Sequence, residues 1–183
     1  MLKEKTVCFS GHRPHKLIQK GASAEKVLPL IRSMLYYEIE QAVSDGFDCF
    51  ISGMAVGVDL WAARYVMGMK SKYPFIKLIC AIPYADQGKN LRGEDLFEYS
   101  TIKNNADKVI VLSEKYYSEC FKRRNKYMVD NSSRLIAVVS DYRSGTGQTI
   151  NYAKKSGLDL HIVDAKKCCE TQILSRYYSS DPD

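Results

Sequence analysis

The sequence predicts an α/β fold in which a mainly parallel sheet carries helices on both faces. Short apolar runs at Thr6–Ser10, Phe47–Ser52, Ile76–Pro83, Lys108–Leu112, Leu135–Val139 and Leu158–Val163 alternate with longer segments of helical pattern. That alternation is the mark of strands joined by crossover helices. The residues with unusual chemistry follow the strands, and a parallel sheet gathers all such segments on one edge. A length of 183 residues is ordinary for one domain and sufficient to bury a core. Residues 1–174 therefore read as a single domain, and residues 175–183, which close on Ser-Ser-Asp-Pro-Asp, as a frayed tail.

The elements follow in order. The first strand runs into Gly11-His12-Arg13-Pro14, where Pro14 ends any ladder pairing. A first helix over Ala24–Ser44 places Leu28, Ile31, Leu35, Ile39, Ala42 and Val43 on its buried side, with Gly46 just past its end as a C-cap. The second strand leads into Ser52-Gly53-Met54-Ala55-Val56-Gly57-Val58-Asp59, and a second helix runs from Asp59, well placed as N-cap, to about Ser71. Pro83-Tyr84-Ala85-Asp86-Gln87 follows the third strand. Further helices fall within 93–104, 118–131 and 148–156, the last closed by Gly157. There is no internal repeat and no low-complexity linker.

Composition sets the class. Apolar residues at 45% and charged residues at 26% describe a soluble globular protein. The net charge of +6 fits an anionic partner, but a solvated surface accounts for it equally well. The densest basic stretch, Lys122-Arg123-Arg124-Asn125-Lys126, lies in a predicted helix, where its members point several ways. No apolar stretch reaches the roughly 20 residues needed to span a bilayer, and Lys3-Glu4-Lys5 leads into a strand rather than into a signal peptide's apolar segment. The cysteines, at 8, 49, 80, 120, 168 and 169, show no C-x-x-C spacing, and several sit in apolar runs. They point to a reducing cytoplasm, with Cys168 and Cys169 as bystanders. With three histidines in the chain and none near that pair, no metal site is expected.

Four segments would meet at the strand C-terminal edge, where open α/β sheets bind ligands. Gly53 and Gly57 let backbone N–H groups approach a phosphate at the start of a helix; the alternative is a tight turn with close helix packing. The stretch matches neither the P-loop nor the dinucleotide fingerprint. Arg13 could fork onto a phosphate or pair with a surface carboxylate, and His12 could donate to a ribose hydroxyl or stack on a base. Ser144-Gly145-Thr146-Gly147-Gln148-Thr149 forms a second anion-binding turn, or a polar loop capped by Thr146 or Thr149. Asp59 serves as a cap or a hydroxyl acceptor, and Trp61 is a core residue before it is a stacking one. Arg124, Asn125 and Asp130 are surface residues by default, with the crevice as the alternative. The tyrosines, among them Tyr36, Tyr37, Tyr116, Tyr117, Tyr177 and Tyr178, look half-buried and form no recognisable stacking platform.

Together, Gly11-His12-Arg13-Pro14, Ser52–Ala63, Arg124-Asn125-x-x-Met128-Val129-Asp130 and Gly145-Thr146-Gly147-x-Thr149 resemble the YpsA-like proteins of the SLOG superfamily. That superfamily also holds the DNA-processing protein A and LOG (lysine decarboxylase-like) families. The resemblance spans Thr6 to about Val163. It implies a Rossmann-like three-layer α/β/α domain that binds a nucleotide or nucleotide-derived ligand such as ADP-ribose or NAD, with no established reaction for this branch. Two departures bear on chemistry. LOG-type phosphoribohydrolases carry Pro-Gly-Gly-x-Gly-Thr-x-x-Glu with a catalytic glutamate, and Thr149 stands at that glutamate's place here. DNA-processing protein A commonly has an Arg where this chain has Val56, so a cation is missing from the glycine loop.

The leading expectation is a regulatory or sensor protein that binds a nucleotide-derived small molecule and requires no cofactor. Its ligand-binding set is Gly11, His12, Arg13, Ser52, Gly53, Met54, Gly57, Asp59, Arg124, Asn125, Gly145, Thr146, Gly147 and Thr149. The alternative is a nucleotide N-glycosidase or phosphoribohydrolase, which needs a carboxylate at the scissile bond, from Asp59, Glu94, Asp95 or Asp130. Single-stranded DNA binding ranks last, because it needs a continuous basic track. No membrane partner is expected, and a homodimer through helices is open.

Overall fold

The computed structural model describes residues 2–178, with side chains described through residue 171. Six strands form one all-parallel sheet: β1 (Thr6–Gly11), β2 (Cys49–Ser52), β3 (Lys77–Ile82), β4 (Lys108–Val111), β5 (Arg134–Val139) and β6 (Asp159–Asp164). Their spatial order is β4-β3-β2-β1-β5-β6. The helices are α1 (Pro14–Leu17), α2 (Ala24–Ser44), α3 (Val58–Met69), α4 (Gly93–Asn105), α5 (Cys120–Asp130), α6 (Gly145–Lys155) and α7 (Ala165–Tyr178). The expected α/β class, three-layered and Rossmann-like, is the observed one.

The order explains the layers. From β1 to β4 the chain steps in one direction across the sheet, so α2, α3 and α4 fall on one face; after β4 it returns to the far side of β1, so α5 and α6 fall on the other. Each face has its own core. Val7, Phe9, Phe50, Leu78, Cys80, Ile136 and Val138 meet Ile31, Leu35, Ile39, Ala62 and Val66 on the first, while Cys8, Ile51, Ile79, Leu135 and Ala137 meet Met128, Val129, Ile150 and Ala153 on the second. The period-2 alternation of strand residues between two buried faces is why these runs are nearly continuously apolar.

Helix α2 coincides with its expected span, although Val27 rather than Leu28 completes its buried stripe. Gly46 follows it with φ of 90°. Trp61 is a core residue, with the Arg32 guanidinium 4.3 Å from its ring centroid. Helix α7 was not legible, because its docking residues Ala165, Cys168 and Cys169 are small. The two thiols are not bystanders: Cys168 Sγ lies 3.4 Å from Met34 Sδ of α2, and Cys169 Sγ donates to the Leu17 carbonyl at 3.5 Å. Because α7 continues to Tyr178, the expected tail begins inside it by four residues, and 179–183 lie outside the described residues.

At the edge opposite the strand C-termini, Arg134 is a structural clamp. Its Nε and Nη1 donate to Asp159 and Asp45, both at 2.7 Å, and its guanidinium covers the Phe47 ring.

Candidate functional site

The strand order reverses between β1 and β5, and in open α/β sheets the ligand crevice lies outside such a switch point. Here the segments flanking it are Gly11–Pro14 and Ser140–Gly145. They are tied together. His12 Nε2 lies 2.8 Å from Ser144 Oγ, and Nδ1 accepts from the Ser140 N–H at 3.3 Å. Each ring nitrogen thus has a polar partner on the segment between β5 and α6. Ser144 in turn donates to the Asp141 carbonyl at 2.6 Å and accepts from the Gly147 N–H at 3.3 Å. His12 is therefore a brace between two loops, with both ring nitrogens engaged, and not the ribose donor or base-stacking ring expected.

Burial, with Lys16 adding repulsion, holds the His12 imidazole below its ordinary value of 6.5. The sign follows. The unfolded chain takes up a proton at His12 before the folded one does, so stability present above about pH 6.5 is lost as pH falls toward the folded value. His12→Gln should make chemical-denaturation midpoints less sensitive to a change from pH 7.5 to 5.5 than in the wild type. An unchanged sensitivity would remove His12 from this account.

Ser144 is the N-cap of α6, which starts three residues before the expected 148, so Gly145-Thr146-Gly147 forms its first turn. Neither Thr146 nor Thr149 is the cap. Both are buried, and Thr149 Oγ1 donates back to the Gly145 carbonyl at 2.9 Å while accepting from Asn125 Nδ2 at 2.9 Å.

The loop Gly53–Gly57 lies one strand over. Gly57, at φ of 99°, is the residue preceding α3, and a Cβ there would come within 2.9 Å of the His12 carbonyl, so only glycine fits both the conformation and the space. The space a Cβ would fill at Gly53 holds the Arg124 guanidinium. Arg124 Nη1 donates to the Gly53 carbonyl and lies 3.4 Å from Asp59 Oδ2, and its Nε donates to Asn125 Oδ1 at 2.7 Å. Both members of this pair are buried, at 6% and 5% side-chain exposure. Burial pushes the Asp59 carboxyl up and the Arg124 guanidinium down, each opposed by the other's charge.

Asp59 is thus the second residue of α3 rather than its cap. Its Oδ2 accepts from the Ala55 N–H at 3.3 Å, and Ser52 Oγ donates to its carbonyl at 2.8 Å. Between them Met54 is buried with φ of 58°, strained for a residue with a side chain, and its N–H donates to Ser52 Oγ at 3.1 Å. Gln87 Nε2 donates to the Met54 carbonyl at 3.0 Å, which ties the loop after β3 to the same assembly.

The candidate carboxylates do not converge. Asp130 ends α5, which runs back from the crevice edge, and accepts from Tyr152 Oη at 2.7 Å on the far side. Glu94 and Asp95 are exposed in the first turn of α4, on the other face of the sheet. Arg13, by contrast, is exposed at the switch point, immediately before α1.

The tyrosine expectation needs correction. Tyr84 after β3, Tyr116 after β4 and Phe121 in the first turn of α5 form a three-ring cluster at the crevice edge, with centroids 5.4–6.4 Å apart. Tyr84 lies 32 residues from Tyr116 and 37 from Phe121, so only the parallel topology brings it to the other two.

A family model described as the YspA SLOG family (YpsA) matches residues 7–167. The chain belongs to this family. Among curated relatives of this SLOG protein, a UPF0398 protein of Bacillus cereus (strain B4264) is 30% identical over 157 residues, covering 84% of each chain. The uncharacterized SPbeta prophage-derived protein YoqJ of Bacillus subtilis (strain 168) is 34% identical over 121 residues, 60% of this chain and 71% of that one. Among solved structures, DNA processing protein A of Streptococcus pneumoniae superposes with a TM-score of 0.57 at 17% identity. The match covers 97% of the SLOG chain but only 57% of the pneumococcal one. The Helicobacter pylori protein, described for its single-stranded DNA binding mode, gives 0.54 at 17% identity over 96% and 74%. At that identity the likeness is one of fold.

Proposed function

We propose that this SLOG protein is a regulatory or sensor protein that binds a nucleotide or nucleotide-derived ligand, of the ADP-ribose or NAD class, at the β1/β5 switch point. The observation that carries the proposal is that His12 ties the exposed Arg13 segment to Ser144, the N-cap of α6, whose first turn is built from Gly145-Thr146-Gly147. A cation and a helix N-terminus carried on two joined loops suit a phosphate or pyrophosphate. The buried residues behind them, Arg124, Asp59 and His12, hold the loops and do not reach outward, while half-buried Asn125 lines the groove beside α6. The superfamily's nucleotide chemistry and the single-stranded DNA binding named for the Helicobacter pylori protein support a ligand of this general kind. Six buried free thiols support a reducing cytoplasm as its compartment.

The test is thermal unfolding of the purified protein with AMP, ADP, ATP, GTP, NAD, ADP-ribose and single-stranded DNA, with product analysis of the same mixtures. A ligand at a hundred times its dissociation constant stabilises by about 2.7 kcal/mol. Selective stabilisation without turnover supports the sensor; released base or ribose phosphate overturns it in favour of a hydrolase. Arg13→Ala should leave the ligand-free midpoint in place and weaken nucleotide binding roughly 10- to 150-fold, as loss of a charge-assisted hydrogen bond of about 1.5–3 kcal/mol implies. Unchanged affinity would take Arg13 out of the site.

A further inference from the structure

We infer that the ligand carries a nucleobase and that the base stacks on Phe121, held in place by Tyr116 and Tyr84, an inference that rests on the nucleotide site proposed above. Three observations lead to it. First, the rings of Tyr84, Tyr116 and Phe121 pack edge to face, with interplanar angles of 79°, 83° and 61°. That arrangement holds each ring in place before any ligand arrives. Second, the cluster is not closed over. Tyr116 is 62% and Phe121 38% exposed, so apolar ring faces stand in water at the edge where the sheet presents its ligand loops.

Third, Phe121 lines a groove of about 710 Å³ between α5 and α6 that also reaches Gly145 and Thr149. Its volume lies in the range of about 300–1,000 Å³ usual for small-molecule sites. One cavity thus joins the aromatic cluster to the first turn of α6. Lys122, Lys126 and Lys155 line it against the single carboxylate of Glu119, and the exposed Gln148 amide can read a base edge. An apolar ring face at one end and an anion-favouring helix N-terminus at the other describe a molecule with a flat aromatic part and a phosphate. A bare sugar phosphate would leave the rings in water. Tyr84 and Tyr116 do not line the groove; each packs edge to face against Phe121 and is a positioning residue.

The test compares AMP and ADP-ribose, which carry a base, with ribose 5-phosphate, which does not, by calorimetric titration of the wild type, Phe121→Leu and Tyr116→Ala/Phe121→Ala. Phe121→Leu keeps apolar bulk while removing the π face, and unchanged melting midpoints show that both variants are folded. Base–aromatic stacking predicts that a base-bearing ligand binds the wild type about tenfold more tightly than ribose 5-phosphate. The variants should lose that advantage while their affinity for ribose 5-phosphate stays the same. Wild-type affinity for AMP and ADP-ribose retained in both variants would overturn the stacking inference and leave the nucleotide site standing. Equal losses for base-bearing and base-free ligands would overturn it too, because the rings would then be shaping the site rather than holding a base. Failure of all three ligands to bind the wild type would overturn the proposed function, and this inference with it.

Discussion

Arg124→Met should destabilise the protein by about 3–5 kcal/mol, the usual cost of removing one member of a buried ion pair. For a chain of this size that lowers the unfolding midpoint by roughly 10 °C. The loss has three sources. Asp59 is left as a buried carboxylate without its cation, the Gly53 carbonyl keeps only the 3.4 Å contact from Gln87 Nε2, and Asn125 Oδ1 loses the Arg124 Nε–H. Arg124→Met/Asp59→Asn should recover part of this, because replacing both charges removes the uncompensated one, and the recovery measures the coupling between them. Chemical denaturation of the wild type, both single variants and the double variant closes the cycle. A loss under 1 kcal/mol for Arg124→Met, with no coupling to Asp59, would mean that the guanidinium is not structural. It would then be free to meet ligand, as its sequence position suggests. Asp59→Asn alone should also destabilise, since it strands the buried guanidinium.

The difference between Arg124 as ligand cation and Arg124 as internal strut marks how far sequence carries. The strands were legible because burial on both faces writes nearly unbroken apolar runs, and α2 because its stripe of Ile31, Leu35 and Ile39 keeps helical spacing through 21 residues. The gathering of loops at one edge followed from parallel topology alone. What each polar side chain does there was not legible, because its partners are distant in the chain: Arg124 meets Gly53 and Asp59 across 71 and 65 residues, and His12 meets Ser144 across 132. Asp59 misled for a related reason. A carboxylate at the start of a helix is written the same way whether it caps that helix or neutralises a cation beneath it. Asp130 was drawn toward the crevice by its nearness in sequence to Arg124, yet the last turn of a helix that runs away from an edge ends at the opposite edge. Ser144 does carry a local signal, as a capping residue three positions before the Gly147 N–H it accepts from.

Gly145 and Gly147 should respond differently to the same substitution, although they look equivalent in Gly-Thr-Gly. At Gly147 an added Cβ would lie inside the van der Waals radius of the Tyr142 backbone carbonyl, and backbone cannot step aside as the end of a side chain can. That carbonyl belongs to the loop held by Ser144, Asp141 and His12, so relief means moving the whole β5–α6 turn. Gly147→Ala should therefore cost about 1–3 kcal/mol, the range for overpacking a close contact. At Gly145 a Cβ meets nothing within 4 Å, and no left-handed φ forbids a side chain there. Gly145→Ala should leave stability within about 0.5 kcal/mol of wild type, as for a surface change away from special features. Its added methyl enters the groove where a phosphate would approach the first turn of α6, so nucleotide affinity should fall even though the fold is intact. Denaturation midpoints and ligand titrations on the two variants separate these effects. If Gly145→Ala binds nucleotide as the wild type does, the phosphate does not sit against this turn. If Gly147→Ala is as stable as Gly145→Ala, the turn is looser than its hydrogen bonds imply.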